Sequence, residues 1–387
     1  MTTKNNIPAG YKDSAVGIIP QEWEVDRLGE ICLTFKSGTT ITSQSIKESG
    51  LYPVYGGNGL RGYTDSYTHN GDYILIGRQG ALCGNINFIR GKAYISEHAI
   101  AVQPNESNSI EFLRYKLDFW NLNRFSESSA QPGLSVEKLV RYKLAVPPME
   151  EQRKIAEILG VWDEAIEKQS RLIEKLELRK RALMQRLLTG RTRLPGFTTP
   201  WQKVKLGEIF KERNETKCEH LPLLSITAER GVILQSESDK KDTSNDDKSK
   251  YKRICPNDIG YNTMRMWQGR SALSAMEGIV SPAYTIVTPK VGIDPLFISE
   301  LIKQPRVVYD FWTHSQGLVG DTLNCKFHDF SQVKVAIPSL PEQKAIAEVL
   351  TAADNEINIH RKKLDALRLQ KRGLMQQLLT GKTRVKI

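Results

Sequence analysis

The sequence has no run of about 18 apolar residues, which argues against a membrane-spanning helix. Its first residues, Met1-Thr-Thr-Lys-Asn-Asn6, carry no apolar stretch behind their charge, so no secretory signal is expected and a cytoplasmic location follows. Cysteine is scarce: Cys32, Cys83, Cys218, Cys255 and Cys325 stand singly and are odd in number. Without paired spacing they offer neither a disulfide framework nor a zinc site, and reduced, mostly buried thiols are expected. A dense basic run is missing too. The net charge of +11 fits a polyanionic partner, yet basic and acidic residues number about 15 to 14 over residues 1–149 and about 21 to 17 over 191–340. A protein that coats DNA without sequence preference would concentrate such an excess.

Motifs for chemistry are equally lacking. Gly381-Lys-Thr383 resembles the tail of a phosphate-binding loop, but the leading glycine would fall at Gln376 and the segment closes a helix where the loop should open one. There is no His-Glu-x-x-His, no Gly-x-Ser-x-Gly elbow and no Asn-Pro-Pro-aromatic run. The acids are scattered without a catalytic pairing. No catalytic residue, cofactor or metal is therefore predicted.

What the sequence does have is internal repetition. Leu144-Ala-Val-Pro-Pro-Met-Glu-Glu-Gln152 opens a segment that recurs as Val335-Ala-Ile-Pro-Ser-Leu-Pro-Glu-Gln343. The match runs without a gap to Leu188-Thr-Gly-Arg-Thr-Arg193 and Leu379-Thr-Gly-Lys-Thr-Arg384, with about half of the positions identical. A fainter echo precedes each copy, Trp23-Glu-Val-Asp-Arg-Leu-Gly-Glu-Ile31 against Trp201-Gln-Lys-Val-Lys-Leu-Gly-Glu-Ile209. The 387 residues thus divide into variable part, constant helix, variable part, constant helix, with boundaries at 1–148, 149–190, 191–339 and 340–387.

Each constant segment reads as one long helix. Ile155, Leu159, Trp162, Ile166, Gln169, Ile173, Leu176, Lys180, Leu183 and Leu187 follow a 4-3 spacing, the seam of a coiled coil. Ile346, Leu350, Ala353, Ile357, His360, Leu364, Leu367, Lys371, Leu374 and Leu378 repeat it. Glu150, Glu151 and Glu342 in the first turns, Pro341 near one start, and Gly190 and Gly381 after the last apolar residues supply the helix limits. At about 1.5 Å per residue such a helix spans about 50 Å, some 15 base pairs of duplex at about 3.4 Å each. The polar seam residues Gln169, His360, Lys180 and Lys371 fall at equivalent places and are read as devices fixing register, although the two lysines could equally snorkel at a frayed edge. Antiparallel pairing of the helices would give a pseudo-twofold arrangement with separated globular domains. The fold class expected is α+β: two mixed α/β domains of short strands, separated by two long helices in an antiparallel coiled coil.

The variable parts are rich in short apolar runs, Gly, Asn, Tyr and Thr, the composition of strands joined by turns. Tyr52-Pro-Val-Tyr-Gly-Gly-Asn-Gly-Leu-Arg-Gly-Tyr63 reads as a loop, and Asp72-Tyr-Ile-Leu-Ile-Gly77 as a buried strand leading into Arg78-Gln-Gly80. Asp258-Ile-Gly-Tyr-Asn-Thr-Met-Arg-Met-Trp-Gln-Gly269 is its counterpart. Arg binds guanine in a bidentate manner and Gln does the same for adenine, so Arg78 with Gln79 and Arg265 with Gln268 are the candidate base readers. The competing role for each arginine is an ion pair that holds its own loop. Asn58, Arg61 and Tyr63 are further candidates for DNA contact, against a plain Gly-Asn-Gly turn. Lys240 to Arg253 reads as a solvated loop that could close on phosphates.

With the repeat and the missing chemistry in hand, the chain resembles the specificity subunits of bacterial type I restriction–modification systems over essentially its whole length. The matching residues are Tyr11-Lys-Asp-Ser-Ala-Val-Gly-Ile-Ile-Pro20 with Trp23, the openings Pro147 to Gln152 and Pro338 to Gln343, the two Leu-Leu-Thr-Gly endings, and Arg193-Leu-Pro-Gly-Phe197 before Trp201. The resemblance implies two target-recognition domains, each reading half of a split, asymmetric DNA site, with the helices fixing the gap. It implies partnership with double-stranded DNA, with two subunits that methylate adenine from S-adenosylmethionine, and with ATP-driven restriction subunits. Docking of the methylating subunits then falls to the helices, around Ile155, Leu159, Trp162, Ile166, Gln169, Lys180, Ile346, Leu350, His360 and Lys371. The alternative is a helical scaffold whose variable domains bind protein surfaces.

Overall fold

The computed structural model describes residues 7–80, 82–126, 133–227, 230–238, 246–317 and 323–386. The seam spacing produces two continuous helices, Met149–Leu187 and Leu340–Leu379. Both stop at a glycine in the left-handed region, Gly190 at φ 69° and Gly381 at φ 71°, where a side chain would be strained. The chain divides into two compact units, one formed by Met1–Ser170 with Lys362–Ile387 and the other by Arg171–Arg361. Each unit therefore contains part of both helices.

In the first unit four antiparallel strands lie in the order Cys32–Ser37, Ala99–Pro104, Tyr73–Gly77, Ile86–Ile89. The apolar runs Ile74-Leu75-Ile76 and Ile100-Ala101-Val102 are wholly buried because both faces of this sheet are covered. Alternation splits them. Ile74, Ile76, Ile100 and Val102 pack with Leu113 and Leu117 of the helix Ile110–Phe119, while Leu75, Ala99 and Ala101 pack with Ala93 and Ile95. Each fully buried Ile or Leu contributes roughly 1.5–3 kcal/mol. The second face is covered by a smaller sheet ordered Gly59–Thr64, Tyr52–Gly56, Lys92–Ile95, His69–Asn70. The segment Tyr52 to Tyr63, expected as a loop, is thus a hairpin. Gly59 at φ 97° and Gly62 at φ 149° let it turn and absorb a bulge beside Val54 and Tyr55.

The second unit repeats the plan with the strand order Phe210–Arg213, Tyr284–Pro289, Ile259–Asn262, Ser271–Leu273. Ile259, Tyr261 and Val287 face a core with Phe297, Phe311 and Phe330, and Ile286 and Ala272 face Leu224, Val232, Ile254 and Val280. A two-stranded ribbon leads into each long helix, Glu24–Arg27 with Lys143–Val146 and Gln202–Lys205 with Lys334–Ile337.

Within each unit the long helices run antiparallel. In the first, Ile155 and Leu159 pack with Met375 and Leu378, and Asp163 meets Lys371. In the second, Leu187 packs with Ile346 and Leu350, and Lys180 meets Asp354. Of the five free cysteines, Cys83 and Cys325 are buried, while Cys32, Cys218 and Cys255 are only half-buried, fewer than the expectation of mostly buried thiols. Among the described residues no helix is long and apolar enough to cross a membrane, and no group of three or more His, Cys, Asp or Glu is placed to hold a metal.

Candidate nucleic-acid interface

The strand Tyr73–Gly77 delivers Arg78 and Gln79 to the end of the first unit's main sheet. Two glycines make this possible. A Cβ on Gly77 would lie 2.6 Å from the Gly57 carbonyl oxygen, and one on Gly57 would lie 2.7 Å from the His98 carbonyl oxygen and 3.1 Å from the Gly77 Cα. Only bare backbone fits, and the contact sets the hairpin tip at Asn58 beside Arg78. The Arg78 N–H donates to the His98 carbonyl at 2.9 Å, and its carbonyl accepts from Leu134 at 2.9 Å. Its half-buried side chain has no carboxylate partner among the described residues. Gln79 is exposed, with Oε1 3.3 Å from His98 Nδ1, and His98 Nε2 lies 3.3 Å from Glu97. His98 and Glu97 thus orient the Gln79 amide. Asn58 and Arg61 are exposed and Tyr63 is half-buried, its backbone bridged to Lys47.

In the second unit the equivalent strand Ile259–Asn262 opens at Asp258, which is buried. The Asp258 carboxylate accepts from Arg213 Nε at 2.7 Å, Thr288 Oγ1 at 2.6 Å and the Cys255 N–H at 2.8 Å. That hydrogen bonding raises the Arg213 guanidinium above its ordinary range. Beyond the strand, Arg265 precedes a single helical turn, Met266–Gln268. Met266 is sunk in the core, which holds Arg265 and Gln268 out in solvent. Gly269, at φ 72°, closes the turn against Val308, where a Cβ would come within 3.0 Å of the valine Cγ2. Arg265 also has no carboxylate partner among the described residues. Of the segment Lys240 to Arg253, residues 240–245 lie outside the described residues. Arg253 itself belongs to the strand Lys252–Ile254 and pairs with Glu215 and Glu277.

The same joint is built in each unit where the ends of the long helices meet. Glu151, fully buried in the first turn of one helix, accepts from Arg384 Nε at 2.7 Å and Nη2 at 2.9 Å, and from the Trp23 indole at 2.9 Å. Glu342 accepts equally from Arg193, at 2.5 and 2.6 Å. The neighbouring glutamines tie in the variable parts. Gln152 accepts from the Ser109 N–H at 2.8 Å and donates to the Pro147 carbonyl at 2.9 Å; Gln343 does so with Asp294 and Pro338, at 2.9 and 3.0 Å. Further along, Lys371 Nζ pairs with Asp163 at 2.5 Å and Lys180 Nζ with Asp354 at 2.6 Å. Both seam lysines end on an aspartate of the facing helix. In the first unit Tyr115 Oη adds a bond to Asp163 at 2.6 Å. Of the remaining seam residues, Ile155, Leu159, Gln169, Ile346 and Leu350 are buried, and Trp162, Ile166 and His360 are half-buried.

A family model described as the type I restriction modification DNA specificity domain matches residues 20–178 and 298–369, more than half of the chain. The chain belongs to that family. Among its relatives, the specificity subunit of the type I restriction enzyme EcoprrI from Escherichia coli is 42% identical over 159 residues, 40% of this chain and 39% of that protein. The MjaVIII specificity subunit of Methanocaldococcus jannaschii is 26% identical over 95% of this chain and 94% of its own length. Among solved structures, the S subunit of a type I restriction–modification system from M. genitalium aligns over 98% of this chain and 99% of its own, with TM-score 0.59 at 15% identity. A chain from a structure concerned with complex assembly and conformational transition of the type I R-M system gives TM-score 0.59 at 17% identity, over 94% of this chain and 99% of its own. These likenesses show the same fold.

The family motifs acquire a physical meaning at the joint. The Pro-x-x-x-Glu-Gln opening supplies the buried carboxylate and the glutamine clasp. The Leu-Thr-Gly ending supplies the helix stop, and the arginine three residues beyond the glycine supplies the ion pair. Sequence reasoning did not find Arg193, Arg384, Asp163, Asp354 or His98 as parts of these arrangements. The repeat held the signal for the first four, since each pair recurs at equivalent positions of the two copies.

Proposed function

We propose that the chain is the DNA-reading, non-catalytic subunit of a type I restriction–modification complex. Residues 1–148 and 191–339 each read one half of a bipartite, asymmetric site. The two long helices set the gap and dock two methylating subunits, and restriction subunits join the full complex. Catalysis then belongs wholly to the partners. The observation that carries this reading is the duplicated turn. At the end of equivalent strands in both units, an arginine without a carboxylate partner among the described residues stands next to or near a glutamine, Arg78 with Gln79 and Arg265 with Gln268. Such a guanidinium retains its donors for guanine, the Gln268 amide retains donor and acceptor for adenine, and Gln79 retains its amide donors while His98 holds its oxygen. The Lys371–Asp163 and Lys180–Asp354 pairs support a helix register fixed by charge, as a spacer requires.

The test is single-molecule sequencing of adenine methylation in cells carrying this chain with its neighbouring subunits, against cells lacking only this chain. A split motif that disappears with the chain is the expected result. An identical methylation pattern in both cells would overturn the reading.

A further inference from the structure

The segment Tyr11 to Pro20 has no part in the base-reading turns, yet it holds apolar side chains in water. The Ser14 hydroxyl donates to the Gly17 carbonyl at 2.6 Å and accepts from the Val16 N–H at 3.2 Å, and the Asp13 carboxylate accepts from the Ser14 N–H at 3.0 Å. Gly17, at φ 103°, completes this tight turn. It leaves Val16 and Ile18 38% and 39% exposed, on the rim of a cavity of about 520 Å³ within the first unit. Tyr142, 37% exposed, stands on the same rim, and Phe119, Trp120 and Phe125 line the walls.

The charged part of the lining is of one sign. Lys116, Arg124, Lys143 and Lys382 contribute to it and no carboxylate does. None of the four has an ion-pair partner among the described residues. Lys116 donates to the Leu379 carbonyl at 2.5 Å, and Arg124 lies over the Phe125 ring at 4.6 Å. Arg384 and Lys371 of the same unit, by contrast, are both matched with carboxylates. An apolar cavity ringed by unmatched cations fits a side chain that brings a carboxylate with it. A DNA duplex presents phosphates on a convex ridge, and its apolar thymine methyl lies within a groove where it cannot fill such a depth.

We infer that this cavity receives a segment of a protein partner in which a carboxylate flanks an aliphatic or aromatic side chain, and that the partner is the methylating subunit. The choice of partner rests on the function proposed above. Two variants of the full chain separate the contributions. Arg124→Glu with Lys143→Glu reverses the mouth charge, and Val16→Ser with Ile18→Ser removes the apolar rim, all at surface positions whose integrity thermal unfolding checks. The probe is the purified methylating subunit, titrated calorimetrically at two salt concentrations.

Each double variant is expected to weaken its binding by tenfold or more, and the charge reversal also flattens the salt dependence. Wild-type affinity in both variants would overturn the inference, as would a loss confined to DNA binding or no binding by the wild-type chain. Failure of the functional reading has a different signature, the absence of a split methylation motif from cells in which the two proteins do bind.

Discussion

Arg384→Ala isolates the value of the joint. In the native chain the Glu151 carboxylate is fully buried and holds three donors, two from Arg384 and one from the Trp23 indole. Removing the guanidinium leaves a charge in the interior with one neutral donor. Breaking a buried ion pair costs about 3–5 kcal/mol. Here the arginine side chain is 31% exposed, so water enters the space it vacates, and the indole bond persists. The expected loss is therefore about 2–3 kcal/mol, below what unpairing a wholly enclosed charge costs. In a Glu151→Gln background the residue left behind is neutral, and the same arginine deletion should cost about 1 kcal/mol or less. The coupling between the two positions is then about 2 kcal/mol. Urea unfolding of the four proteins measures it, and native-state hydrogen exchange of the last turns of the helix Leu340–Leu379 locates it. A coupling below about 0.5 kcal/mol, within the error of additive sites, would refute the account of a buried charge held by its partner.

Other outcomes follow from the same geometry. Gly381→Ala places a Cβ 2.5 Å from the Pro20 Cδ at φ 71°, whereas Gly190→Ala meets Trp201 only at 3.4 Å; the left-handed strain of roughly 1–2 kcal/mol is common to both, so urea midpoints should fall clearly further for Gly381→Ala. Burial lowers the Lys116 ammonium to about 8, against about 10.4 when unfolded. Below pH 8 both states hold the proton; between the two values only the unfolded chain does, so rising pH favours the folded state. Relative to Lys116→Leu, the wild type should gain about 3 kcal/mol across that window, and parallel pH curves of unfolding free energy would exclude it. Arg78→Ala and Arg265→Ala should each relax one half of the methylated motif, by about 1–3 kcal/mol in duplex binding, and uniform weakening over all sequences would make them phosphate contacts. A heptad inserted after Gln169 together with one after His360 should lengthen the unspecified gap of the motif and leave both halves unchanged, as read by methylation sequencing.

The long helices were legible because their signal is local: a seam spacing, first-turn acids and a terminal glycine all lie within one segment. The same locality misled elsewhere. Glu151 and Glu342 read as charges favouring a helix start, while the structure buries them as ligands of arginines far away in sequence. Lys180 and Lys371 read as polar seam residues without visible partners, since Asp163 and Asp354 stand off the seam. Tyr52 to Tyr63 read as a loop because four glycines masked the alternation of a hairpin. Its register depends on the Gly57–Gly77 contact, which no spacing announces.

One unit is a single stretch, Arg171–Arg361, and the other is closed by residues from both ends of the chain. A ribosome therefore finishes every part of the second unit while the first still lacks Lys362–Ile387, and with them Met375, Leu378 and Arg384. Until those residues emerge, Glu151 has the Trp23 indole but no cation, and Ile155 and Leu159 lack the cover of Met375 and Leu378. Translation order thus makes the first domain the last to be sealed. A chain cut before Lys362 is one whose unfinished half is its beginning.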